Sequence, residues 1–168
     1  MLVRDAQPAD AAAVAAVHVR SWQVGYRGLL PDRYLDALRP NDRAQRYRFD
    51  DLDPRGPATI VALEADVICG FATTGQSRDG GDDTTGELMA LYVDPDRWGL
   101  GIGRTLLREA RTRLTQQGFA QGVAWVLAGN ERAERFYRID GWAPNGKRRE
   151  EMISGITADE IGYGRSLP

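Results

Sequence analysis

One stretch of this chain restricts its fold more than any other. Glu87 to Val93 (ELMALYV) is an apolar run of strand length that stops at Asp94-Pro95. Gly99, Gly101 and Gly103 follow, alternating with Leu100 and Ile102, and a helical pattern then runs over 103–117 with Leu106, Leu107, Ala110 and Leu114 on one face. Gly118 closes it. A strand passing through a Gly-rich turn into a helix belongs to α/β architectures. It also builds an anion cradle: the glycines let the backbone approach a ligand, and the free N–H groups and dipole of the helix start favour negative charge.

Two familiar phosphate motifs do not fit. Counted from Gly99, the last glycine of a Gly-x-Gly-x-x-Gly dinucleotide fingerprint falls on Arg104, and no Gly-Lys-Ser/Thr is present for a P-loop. Composition removes further classes. One Cys and one His in 168 residues cannot form an internal disulfide or a Cys/His zinc site, so no metal is expected. The net charge of −2 lacks the basic excess of a nucleic-acid binder. No apolar run reaches the roughly 18 residues of a membrane span, and residues 1–10 lack the apolar centre of a signal peptide, which points to a cytoplasmic protein.

The remaining pattern is mixed. Strands are expected near 2–4, 59–63, 67–74 and 123–127, the middle two forming a hairpin through Glu64-Ala65-Asp66. Helices are expected over 11–22 behind Asp10, over 32–38 behind Pro31, and over 131–139. Residues 50–57 read as a turn-rich connector and 76–85, holding Gly80-Gly81, as a loop. Two weak strands lie near 147–152 and 159–164. One domain over 1–168 is expected.

Trp98-Gly-Leu-Gly101-Ile-Gly103 resembles the Gln/Arg-x-x-Gly-x-Gly/Ala signature of the GNAT superfamily of acyl-CoA-dependent N-acetyltransferases. Downstream, Asn130-Glu-Arg-Ala133-Glu-Arg-Phe136-Tyr137-Arg-Ile-Asp-Gly141-Trp142 is similar to its Asn-x-x-Ala-x-x-Phe-Tyr-x-x-x-Gly-Phe segment. The two stand in the family's order and span about a third of the chain. One departure is plain: Trp98 occupies the Gln/Arg position, with Arg97 beside it.

The resemblance implies a single GNAT-like α/β domain, with a mixed, mostly antiparallel central sheet flanked by helices and two splayed parallel strands, here 87–93 and 123–127. It implies acetyl-CoA as co-substrate. Its pantetheine arm would pair with backbone at Leu91, Tyr92 and Val93. Its pyrophosphate would lie on amides of Trp98, Gly99, Leu100, Gly101, Ile102, Gly103 and Arg104, and Asn130 would touch the arm. Direct attack of an amine on the thioester needs a base, because an alkylamine with a pKa of about 10.4 is protonated at neutral pH. Glu87 matches the position of a general base in some members, directly or through water, and Tyr137 matches the acid beside the sulfur.

Bland readings stand beside these. Tyr137 is either that acid or a packed helix aromatic, and Glu87 either the base or a solvent-facing strand start. Glu151 and Asp83 are reserves. His18 and Cys69 read as structural. Residues 18–35 resemble the helix pair that lines the acceptor pocket in bacterial members, where Trp22 and Tyr26 would wall a small-molecule or peptide amine, or else pack two short helices. Asp82 and Asp83 would favour a cationic acceptor. A homodimer is compatible with the sequence. The competing function is a non-catalytic acyl-CoA sensor or regulatory module that keeps the cradle without turnover.

Overall fold

The computed structural model describes residues 1–50, 53–79 and 83–168. The Gly80-Gly81 pair, Asp82, and part of the 50–57 connector lie outside the described residues. Among the described residues, seven strands form one sheet: β1 (Leu2–Asp5), β2 (Ala58–Glu64), β3 (Val67–Gln76), β4 (Thr85–Val93), β5 (Gln121–Leu127), β6 (Ala143–Ile153) and β7 (Ile156–Ser166). Their spatial order is β1-β2-β3-β4-β5-β7-β6, antiparallel throughout except for the parallel pair β4–β5. The expected mixed, mostly antiparallel sheet is present.

The helices are α1 (Ala11–Gly25), α2 (Asp32–Ala37), α3 (Pro40–Ala44), α4 (Ile102–Gln116) and α5 (Glu131–Ile139). They cover the two sheet faces. On one face, α4 buries Ile102, Leu106, Leu107 and Ala110 against Cys69, Leu88 and Val93. Each fully buried leucine or isoleucine contributes about 1.5–3 kcal/mol. At Gly86 a Cβ would stand 2.6 Å from Leu114, so the sheet accepts α4 here only because that position has no side chain. On the other face, Val14 and Val17 of α1 pack on Val61, Leu63 and Phe71. Among the described residues no helix is long and apolar enough to cross a membrane.

Two details position the site. β4 and β5 pair only where Thr85–Leu88 meet Gln121–Ala124. Beyond that they part, while β4 stays paired to β3 up to Val93 and β5 to β7 up to Leu127. The β3–β4 register also shifts between Thr73 and Thr74, leaving Met89 as the extra residue. A bulge bends a strand and increases its twist, and this one sits where β4 leaves β5.

Candidate active site

The gap between the diverging strands is the floor of a cleft of about 880 Å³. Leu88–Val93 line one wall, Trp125–Leu127 the other, and residues 97–104 together with Asn130, Arg132, Ala133, Phe136 and Tyr137 close it on the α4–α5 side. Ser21 of α1 and Tyr26, just past its end, reach it from the opposite sheet face.

Backbone alternation decides which groups of β4 face the gap. Asp94 N–H donates to the Cys69 carbonyl at 2.8 Å, so Asp94 and, two residues back, Tyr92 turn their backbone toward β3. Leu91 and Val93 therefore face the open edge. Tyr92, expected from the resemblance to offer backbone to a ligand, offers none; its side chain faces the α1 layer beside Phe71. The Val93 carbonyl is also taken, accepting from Ser21 Oγ at 2.9 Å and Trp98 Nε1 at 2.8 Å. What remains open is the Leu91 N–H and carbonyl and the Val93 N–H.

The cradle follows. Gly99 and Gly101 hold φ of +82° and +84°, where an L side chain costs roughly 1–2 kcal/mol. A Cβ at either glycine meets nothing within 4 Å, so a side chain there would fill cleft space. Gly101 is the α4 N-cap and brings no side chain to it. The helix's first internal bond runs from Thr105 N–H to the Gly101 carbonyl at 3.1 Å, leaving the amides of Ile102, Gly103 and Arg104 without a helical acceptor. Three N–H groups, a positive dipole end and open space suit a pyrophosphate, and the free edge of β4 suits an amide-bearing arm.

Of the other expected residues, Asn130 lines the cleft and caps α5, its Oδ1 accepting from Ala133 N–H at 3.1 Å. Among the described residues its amide NH2 has no acceptor. Tyr137 is buried, packed edge-on against Phe136 and Trp142, and lines the cleft floor. Burial, followed by the neighbouring Tyr92, raises its pKa well above that of an ordinary phenol, so the hydroxyl stays protonated. Tyr26 meets Tyr92 hydroxyl to hydroxyl at 3.2 Å, and burial first, then Tyr92, raises its pKa as well. Trp22 is not on the cleft wall; it packs behind Tyr26, tilted, and edge-on to Tyr92.

Glu87 is not the solvent-facing residue that one reading of the strand start predicts. It is 1% exposed, and both its oxygens are held by Arg78: Nη2 donates to Oε1 at 2.6 Å, while the backbone N–H and Nε reach Oε2 at 3.1 and 3.3 Å. It lies on the paired part of β4, outside the cleft lining. His18 is buried among Trp22, Phe71 and Tyr92 with Nδ1 2.6 Å from the Tyr47 hydroxyl, and burial, followed by the Arg43 charge, holds its pKa far below the usual value. Cys69 is core, as expected. Arg97 is paired with Glu64 at 2.5 Å.

Glu160, on β7 opposite Leu127, was not singled out in the sequence. Burial raises its pKa despite a 2.7 Å bond from Arg149 Nε, and its charge is felt by the hydroxyls of Tyr26 and Tyr92. Arg149 also stacks on Trp125 and pairs with Asp79. The one available signal was alternation in Ala158-Asp-Glu160-Ile, which turns Glu160 to the same face as Ala158, beside Leu30 and Leu35.

Residues 19–142 match the acetyltransferase (GNAT) family. The uncharacterized N-acetyltransferase YuaI of Bacillus subtilis is 30% identical over 163 residues, covering 96% of this chain and 91% of that one. A ribosomal-protein-alanine N-acetyltransferase from Brucella melitensis has the same fold, with a TM-score of 0.75 at 23% identity over 99% of this chain and 100% of the other. The PaiA N-acetyltransferase of Thermoplasma acidophilum, solved in complex with coenzyme A, gives 0.72 at 19% identity, covering 98% of each chain. A match that runs from α1 to the end of the second motif, together with a relative aligned over almost its whole length, leaves one assignment: the chain belongs to the GNAT family of acetyltransferases.

Proposed function

We propose that this protein moves an acetyl group from acetyl-CoA to a small-molecule or peptide amine by direct attack. Tyr137 serves the sulfur, and Glu87, reached through water, takes the amine proton. The observation that carries the reading is the free inner edge of β4 ending beside three unpaired amides of α4. Leu91 and the Val93 N–H would hold the pantetheine amides, the amides of Ile102, Gly103 and Arg104 the pyrophosphate, and the Asn130 amide the arm between them.

Bound acetyl-CoA supplies an activated acyl carbon, whose bond to sulfur breaks as its bond to nitrogen forms. Tyr137 keeps its proton at neutral pH and presents it at the cleft floor. A thiol has a pKa of about 8.5, below that of this phenol. Tyr137 therefore acts chiefly by hydrogen-bonding the charge that gathers on sulfur. Tyr26 and Tyr92 wall the acceptor side with two further neutral hydroxyls.

Glu160 supplies a second reading of the base. Glu87 would have to receive its proton past the Arg78 pair. Glu160, outside the cleft lining as Glu87 is, pairs across the ladder with Leu127 of the cleft wall; burial raises its pKa, its charge is felt by Tyr26 and Tyr92, and a carboxylate tuned upward is a better base near neutrality.

The reading is tested by CoA-thiol release against an amine panel, with Tyr137→Phe as control. The wild type should turn over at least one amine, and the variant should lose about 10²-fold or more in kcat with little change in KM for acetyl-CoA. Acetyl-CoA binding with wild type and variant equally inactive across the panel would favour the sensor reading.

A further inference from the structure

Trp98 stands where the family signature has Gln or Arg, so the cradle lacks a polar side chain at that position. Arg97 does not replace it, because it is committed to Glu64 at 2.5 Å. Trp98 is instead fixed by its indole: Nε1–H donates to the Val93 carbonyl at 2.8 Å, which holds the ring at the end of β4. From the first turn of α5, Arg132 lays its guanidinium over that ring with the carbon 3.2 Å from the centroid. Both residues line the cleft. The pair therefore bridges the strand side and the α5 side of the gap at the cradle.

Among the described residues Arg132, like Arg104 on the same cleft, has no counter-ion, whereas several nearby arginines do. Arg97 pairs with Glu64, Arg111 and Arg165 with Asp140, and Arg138 with Glu134. Among the described residues Arg132 makes no ion pair or hydrogen bond; its recorded partner is the Trp98 ring. Partial desolvation lowers its pKa with nothing to offset it. A guanidinium free of carboxylates in the cleft that also holds three unpaired amides is placed for a phosphate, and its planar fork suits two phosphate oxygens at once. A cation–π contact worth about 0.5–2 kcal/mol is strong enough to park the side chain and weak enough to release it.

We propose that Arg132 is a phosphate-binding residue for the acyl-CoA donor, stored on Trp98 in the free protein and turned onto a donor phosphate when the cleft fills. The role supplies from α5 the side-chain contact that Trp98 has removed from the cradle. It rests on the acetyl-CoA reading above.

The test is calorimetry with three probes. CoA carries the pyrophosphate and the 3′-phosphate, dephospho-CoA only the pyrophosphate, and pantetheine neither. In Arg132→Ala, CoA affinity should fall about tenfold, and Arg132→Lys should recover part of that loss. An equal loss with dephospho-CoA assigns the contact to the pyrophosphate; a loss with CoA alone assigns it to the 3′-phosphate. Pantetheine binding should not change, and the ligand-free melting temperature should stay near wild type. Unchanged CoA affinity in Arg132→Ala overturns the proposal, as does an equal loss for pantetheine. Failure of the wild type itself to bind CoA would instead remove the donor reading. Tryptophan fluorescence gives an independent readout: part of the change on adding CoA should vanish in Trp98→Phe.

Discussion

Glu87 and Glu160 pose the sharpest question at the scale of single residues. Gly86 faces α4, so Glu87 turns to the other sheet face, and β7 alternation brings Glu160 to that same face. Arg78 holds the first and Arg149 the second. If Glu87 is the base, Glu87→Gln should lower kcat/KM about 10²-fold or more, most severely at low pH where free amine is scarce. Glu160→Gln should then leave the acid limb of the pH profile in place. The sign for Glu160 is definite: its carboxylate form is lost as pH falls through a pKa raised by burial, so as base it would set that limb, and Glu160→Gln would flatten it. That result would transfer the role. The sequence singled out Glu87 because motif position is visible in one dimension. Glu160 was hidden because its neighbourhood with Tyr26 and Tyr92 is made by strand pairing and by burial.

At the scale of elements, the β4–turn–α4 unit was the most legible part of the chain. The expected 87–93 and 103–117 are observed as Thr85–Val93 and Ile102–Gln116, and 131–139 is observed unchanged. Periodicity and glycine punctuation are local, and these elements carry both. α3, Pro40–Ala44, gave no such signal because it buries no residue. β6 runs eleven residues with no buried position, and the weak strand expected near 147–152 caught only its second half, where exposure alternates. Which β4 groups face the cleft was not legible either, since a bulge at Met89 and the Asp94–Cys69 bond decide it. The cradle itself gives a prediction. Gly101→Glu places a side chain and a negative charge in space that is now open, at a φ that disfavours any side chain, so CoA binding should be lost. Calorimetry on the folded variant checks this; undiminished affinity would put the phosphates elsewhere.

At the scale of the whole molecule, two sheet halves meet along one short parallel ladder, Thr85–Leu88 with Gln121–Ala124. A donor lying in the splay would act as a partial strand between them. Hydrogen exchange should therefore slow on adding CoA at Leu91, Val93 and Ile102–Arg104, while Tyr92, already turned to β3, should change little. Exchange unaltered at Leu91 and Val93 would argue against a strand-like arm. The seven-strand order follows from pairings distant in sequence, and here the resemblance to a known family supplied what local pattern does not. Only the resemblance suggested that strands 87–93 and 123–127 would run side by side and then part.

That short ladder also bears on how the chain folds. β2, β3 and β4 are successive antiparallel neighbours, and β6 and β7 form another such pair, so part of each half rests on contacts close in sequence, while β1–β2 and β5–β7 join distant segments within a half. Joining the two halves requires closing the loop that contains α4, and non-local parallel pairing of this kind forms late. The cleft is then completed near the end of folding. The expected outcome under mild denaturation is that activity fades while most of the helix and strand signal survives, which parallel activity and circular-dichroism titrations would check.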